Sequence, residues 1–128
     1  MTERARGTFE VVITPDPPDD SGIGRMAIAK SWHGDLSGAG HGSMLSAGDP
    51  SQQRAGYVAL EVVVGSLAGR DGSFAFHQLG VMRPEGQDLT YAVVPGSGTG
   101  DLAGIEGTLE LAIDADGTHT YDLAYTLP

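Results

Sequence analysis

Glu61 is the only charged residue in the run Val58-Ala-Leu-Glu-Val-Val-Val64. A run this apolar reads as a strand buried on both faces. Burial disfavours the ionised carboxylate, which is the condition under which a glutamate serves as a general acid or base. His77 lies in Phe74-Ala-Phe-His-Gln-Leu79, on the strand that follows. A hairpin centred on Gly69 sets His77 opposite Glu61, and a carboxylate–imidazole pair suits proton transfer during an isomerisation. The same register pairs Phe74 with Val64 and Phe76 with Val62 on the other face. If that other face is the core, Glu61 and His77 meet water and the pair is an ordinary surface one.

Lys30, the sole lysine, shares parity with Met26, Ile28 and Trp32. Facing inward, it is a partner for a buried carboxylate or a candidate amine nucleophile. Facing outward, its stem covers apolar surface while its ammonium reaches solvent. Trp32, Tyr57, Tyr91, Tyr121 and Tyr125 offer rings with polar tips, suited either to lining a ligand site or to filling a core. Other patterns fail on context. Gly98-Thr-Gly-Asp-Leu-Ala103 and Gly22-Ile-Gly-Arg-Met-Ala27 fit a loose dinucleotide spacing but sit in no βαβ unit. The phosphate-loop Gly-Lys-Ser/Thr and the hydrolase elbow Gly-x-Ser-x-Gly are both missing. Asp114-x-Asp116 stops short of a calcium loop, and His33, His41, His77 and His119 lack the close spacing of zinc ligands. No metal and no cofactor are expected.

The elements that must hold these residues are strands. Period-2 alternation marks Thr8–Thr14, Arg25–His33, Tyr57–Leu67, Ser73–Leu79, Leu89–Val94, Thr108–Asp114 and a last strand from His119 to Leu127. Leu36–Leu45 is weak and glycine-rich, and reads as a bent or bulged strand. Pro15–Asp20 and Pro95–Gly100 read as loops, and Asp114-Ala-Asp-Gly117 as a hairpin turn. That makes about eight strands at sandwich or barrel spacing. Short successive connections favour a meander, and a closed ring removes the sheet edges that invite aggregation. The expected fold is therefore all-β, an eight-stranded antiparallel up-and-down barrel forming one domain over residues 1–128.

One phrase occurs three times. Gly34-Asp-Leu-Ser-Gly38 returns as Gly65-Ser-Leu-Ala-Gly69 and as Gly100-Asp-Leu-Ala-Gly104. Glycine at this spacing supplies tight turns and bulges, so a recurring turn–strand unit is implied.

Composition narrows the partners. The net charge is −10, with one lysine and six scattered arginines, which argues against binding nucleic acid phosphates or an anionic membrane. There is no cysteine, hence no disulfide framework and no thiolate metal site. With neither an apolar leader nor a spanning run in the sequence, the expectation is a cytoplasmic protein.

The order Thr8-Phe-Glu-Val11, Ser31-Trp-His-Gly-Asp-Leu-Ser-Gly38, Gly56-Tyr-Val-Ala-Leu-Glu61 and Gly65–Phe74 resembles a family of short bacterial domains of unknown function. The most specific stretch is Val93-Val-Pro-Gly-Ser-Gly-Thr-Gly-Asp-Leu-Ala-Gly104, and the pattern closes with His119-Thr-Tyr-Asp-Leu123. The resemblance implies an allene oxide cyclase-like barrel, related in shape to dirigent proteins. Better-known barrels of this shape hold or steer apolar, reactive small molecules in a lipocalin-like lumen, often as dimers or trimers. It brings no activity of its own, because fold alone does not determine function. Three functions follow as expectations. The first is a barrel binding one apolar or amphipathic molecule through Trp32, Tyr57, Tyr91, Tyr121, Tyr125 and Lys30. The second is a cofactor-free isomerase or cyclase using Glu61 with His77. The third is an adaptor with a packed core, acting as a homodimer or homotrimer.

Overall fold

The computed structural model of the chain describes residues 1–128 and is almost wholly β. The strands are β1 (Glu3–Pro15), β2 (Gly24–Gly34), β3 (Leu36–Asp49), β4 (Arg54–Leu67), β5 (Arg70–Arg83), β6 (Gly86–Val93), β7 (Thr99–Gly100), β8 (Glu106–Ile113) and β9 (His119–Thr126). One 3₁₀ turn, Pro50–Gln52, links β3 to β4, with the Asp49 side chain accepting from the Ser51 amide. Each of β1 to β5 pairs antiparallel with the next in sequence. β6 then meets β8 at Ala92 and Thr108, β8 pairs with β9, and β9 returns to β1. The ring is a closed eight-stranded antiparallel barrel. β7 lies outside the ring and pairs with Gly72 and Ser73 of β5, beyond the end of β6.

Alternation carries through to the packing, because successive side chains of a strand point to opposite faces. Phe9, Ile28, Trp32, Ala59, Glu61, Val63, Phe74, Phe76, Tyr91, Tyr121, Leu123 and Tyr125 are all buried on the inner face. Val58, Leu60, Val62 and Val64 form the opposite parity of β4 and stay about half exposed on the outer wall. The run in β4 is therefore not buried on both faces, as its apolar composition suggested. One parity fills the lumen and the other leaves an apolar stripe facing outward.

The turn between β4 and β5 fixes which parity is which. It has two residues, Ala68 and Gly69, with φ of +50° and +86°. Positive φ at both central positions is the type I′ hairpin, whose twist suits antiparallel strands. Leu67 thus faces Arg70, Glu61 faces Phe76, and Leu60 faces His77. The expected hairpin centred on Gly69 is off by one residue. A one-residue shift moves a side chain to the other side of the sheet, so Phe74 and Phe76 join Glu61 inside while His77 goes out.

The repeated phrase closes one end of the barrel. Leu36, Leu67 and Leu102 are each all but inaccessible, and Leu36 lies directly across from Leu67. With Ile105 they belong to one continuous core that includes Phe74, Val93, Leu109 and Leu123. The backbone of the phrase is tied down as well. The Ala68 amide donates to the Asp35 carbonyl, and the Asp101 amide to the Asp71 carbonyl. The opposite end, where the Pro50–Gln52 turn and the β1–β2 and β5–β6 connections lie, is the more open one.

β3 is the element the sequence understated. It is one 14-residue strand paired along its length with both neighbours. Its glycines at 38, 40 and 42 share the parity of Leu36 and Met44, and they mark crowding rather than a broken strand. A Cβ at Gly38 or Gly42 would meet the backbone of β4, and one at Gly40 the Glu61 and Trp32 side chains.

Candidate ligand site in the barrel lumen

Lys30 and Glu61 meet inside the barrel. Lys30 Nζ lies 3.0 Å from Glu61 Oε1, and the two side chains are 5% and 1% exposed. Lys30 also donates to the Tyr91 hydroxyl at 2.8 Å, and Tyr91 stands 3.4 Å from Glu61 Oε1. The indole Nε1 of Trp32 donates to Glu61 Oε2 at 2.9 Å. Three strands, β2, β4 and β6, therefore place four polar groups in one network. Buried charge is tolerated only when paired and hydrogen-bonded, and here both carboxylate oxygens have donors. Aromatic faces complete the enclosure: Lys30 Nζ lies 4.7 Å from the Phe9 ring centroid, 5.1 Å from that of Tyr91 and 5.4 Å from that of Trp32.

This environment moves the titrating groups in definite directions. Burial pulls the Lys30 ammonium below its ordinary range, and the Glu61 charge draws it part of the way back. Burial pushes the Tyr91 phenol up, and the neighbouring Glu61 charge adds to the rise. Tyr57 is also raised by burial.

Two glycines make room for this arrangement. A Cβ at Gly40 would overlap the Glu61 carboxylate and crowd the Trp32 indole nitrogen. A Cβ at Gly80, on β5 opposite Tyr57, would overlap the Tyr57 ring. Neither position has a positive φ, so the requirement is for space.

Beyond the network the lumen holds a cavity of about 270 Å³. Every strand of the ring contributes to its wall, with Phe9, Lys30, Met44, Ala59, Tyr91 and Leu111 among the lining side chains. Nine of its twelve lining residues are hydrophobic. Lys30 and Tyr91 are part of this wall, whereas Glu61 and Trp32 stand behind it. Tyr57 also lines the cavity and donates to Gln78 Oε1 at 3.0 Å. A second cavity of about 360 Å³ adjoins the first through the shared residues Met44, Tyr57 and Leu111, and opens among Met26, Met82 and Leu89. The lumen is thus packed at the leucine end and hollow toward the open one.

The residues singled out from the sequence divide accordingly. Lys30, Trp32, Glu61 and Tyr91 come together, and Tyr57 lines the same cavity as Lys30 and Tyr91. Lys30 takes the role of carboxylate partner that its inward parity allowed. His77 is not brought to Glu61, for the register reason given above: it lies on the outer face, half-buried, across from Leu60. Tyr121 and Tyr125 are buried but away from the cavity. The Tyr121 hydroxyl accepts from the Leu36 amide at 2.9 Å and lies 3.0 Å from the His33 carbonyl, riveting the closed end. Tyr125 donates to Glu3 at 3.0 Å. Met44, Gln78, Gly40 and Gly80 were not anticipated. The two glycines carried the signal, since each sits on an inward parity where a side chain would be expected.

A closed antiparallel barrel with one packed end and one hollow end, its polar groups gathered beneath an apolar cavity, defines the class of protein by shape. The family follows from the sequence: residues 5–125 match the family described as "Protein of unknown function (DUF3224)", and the chain belongs to it. It is similar to a protein of unknown function from the same family in Shewanella oneidensis MR-1, whose crystal structure superposes with a TM-score of 0.91. That match has 38% identity and covers 100% of this chain and 98% of the other. None of the curated proteins matches the chain.

Proposed function

We propose that the barrel binds one small molecule in its lumen, an apolar body with a single polar end. The observation that carries this reading is the cavity of about 270 Å³ walled by all eight strands of the ring. Small-molecule sites are concave, mostly apolar and furnished with a few placed polar groups. The apolar body would lie against Phe9, Met44, Ala59 and Leu111, and the polar end would meet Lys30 and Tyr91. Because Lys30 and Glu61 offset one another, the polar end is an uncharged oxygen, a carbonyl or hydroxyl, rather than a second carboxylate. The barrel shape of the family, which resembles allene oxide cyclase barrels whose better-known forms hold apolar molecules, supports the same reading by analogy.

Binding is favoured over acid–base catalysis by Glu61 on one further observation. Both Glu61 oxygens are engaged, by Lys30 and Trp32, and the carboxylate is not part of the cavity wall. A general base needs reach to the proton it takes.

The test is thermal unfolding of the protein with a series of straight-chain alkanols. Stabilisation that grows with chain length and saturates, then declines once the chain outgrows the cavity, supports the lumen site. No stabilisation at any length overturns it.

A further inference from the structure

Resting on the lumen-binding reading, we propose that Lys30 captures an apolar aldehyde or ketone held in the cavity, joining it reversibly as an imine. Lys30 Nζ is buried, stands on the cavity wall, and is bonded to Tyr91 and Glu61. Of its three N–H bonds two have protein partners, leaving one direction for a ligand oxygen. The ion pair calls for an account beyond stability. Apolar residues of similar volume generally replace a buried Lys–Glu pair without loss, since desolvation offsets the attraction.

The chemistry uses only groups in the network. When an apolar ligand fills the cavity and displaces water, the ammonium passes one proton to Glu61, leaving a neutral amine beside a neutral carboxylic acid. The amine lone pair attacks the carbonyl carbon and the C–O π bond opens, giving a carbinolamine after proton exchange. Tyr91, which stands on the cavity wall 3.4 Å from Glu61 Oε1, then relays the proton. Its hydroxyl donates to the carbinolamine hydroxyl as it takes up the proton held by Glu61, the C–O bond breaks, and water leaves as the C=N bond forms. The product is a protonated imine paired with the Glu61 carboxylate, so amine, carbonyl and proton balance against imine and one water. The cation stays in the enclosure of Phe9, Trp32 and Tyr91 that already surrounds the ammonium. Desolvation supports the scheme by favouring the neutral, nucleophilic amine.

Lys30 is the only lysine, so the chain has just one other amine, at its N-terminus. The wild-type protein would be incubated with a medium-chain aldehyde and cyanoborohydride, which reduces an imine to a stable secondary amine, and adducts located by peptide mass mapping. The matching alkanol serves as competitor and as a separate thermal-shift ligand. The expected result is an adduct on Lys30 that the alkanol suppresses, formed faster in folded protein than in guanidinium-unfolded chain by roughly tenfold for each unit of lowered amine pKa. An adduct only at the N-terminus, or on Lys30 no faster than in the unfolded chain, overturns the imine. If the alkanol still stabilises the protein in that event, only the imine falls. If it does not, the binding site falls with it.

Discussion

Lys30 and Glu61 form an ion pair at 3.0 Å whose side chains are almost wholly withdrawn from water. Removing either partner leaves the other charge in the barrel with incomplete compensation. Lys30→Met and Glu61→Leu are each expected to destabilise the protein by about 3–5 kcal/mol. The double variant, with no charge left inside, is expected to lose far less than the sum. Guanidinium unfolding of the four proteins in a double-mutant cycle measures this coupling directly.

Gly40 yields a sign reversal. A glycine within a strand ordinarily costs about 0.5–1 kcal/mol relative to alanine. Here a Cβ would overlap the Glu61 carboxylate, so Gly40→Ala is expected to destabilise by about 1–3 kcal/mol. In a Glu61→Ala background, where the carboxylate is gone, the same substitution should become neutral or stabilising. Equilibrium unfolding of the single and double variants decides.

The β4–β5 turn holds Ala68 at φ +50°, a left-handed conformation that costs a residue with a Cβ roughly 1–2 kcal/mol. Asparagine and glycine tolerate it better and favour the first position of a type I′ turn. Ala68→Asn is expected to raise stability by about 0.5–1 kcal/mol. The midpoint of thermal unfolding should rise with ligand binding unchanged.

Alkali should weaken the protein in a defined window. The folded pKa of Tyr91 lies above its ordinary 10.0, so the folded chain keeps a proton that the unfolded chain releases. Stability from this group is complete below pH 10 and is lost as pH rises above it, at up to about 1.4 kcal/mol per pH unit. Tyr57 and Tyr121 shift in the same direction. Lys30 shifts down, so its contribution rises with pH until 10.5 and partly offsets the onset. Unfolding curves from pH 8 to 12 should show the decline, and Tyr91→Phe should make it shallower.

Much of this architecture could be read from alternation alone, because Trp32, Tyr91, Tyr121 and Leu123 sit on strands with one apolar parity. Whether Glu61 faced in or out could not be so read. Both parities of β4 are apolar, and only the two-residue turn at Ala68 and Gly69 separates the correct register from its neighbour. The Glu61–His77 pairing failed there, by one residue. β3 was understated for a different reason: Gly38, Gly40 and Gly42 lack the side chains that carry a period. At Gly40 the Glu61 carboxylate and Trp32 indole occupy the space, and at Gly38 and Gly42 the backbone of β4 does. The three leucines of the repeat were visible as a pattern, but their joint role in closing one end depends on contacts far apart in sequence.

Trp32 is the only tryptophan, is 1% exposed, and stands beside Phe9 and Glu61 just behind the cavity wall. It is therefore a reporter for the lumen. The most direct measurement is quenching of its fluorescence by a bromine-bearing alkanol, in the wild type and in Ala59→Leu, where the added side chain fills the cavity. A lumen site predicts saturable quenching in the wild type and its loss in Ala59→Leu, with His77→Ala behaving as wild type. Quenching that rises linearly without saturation and is equal in all three proteins would contradict the account.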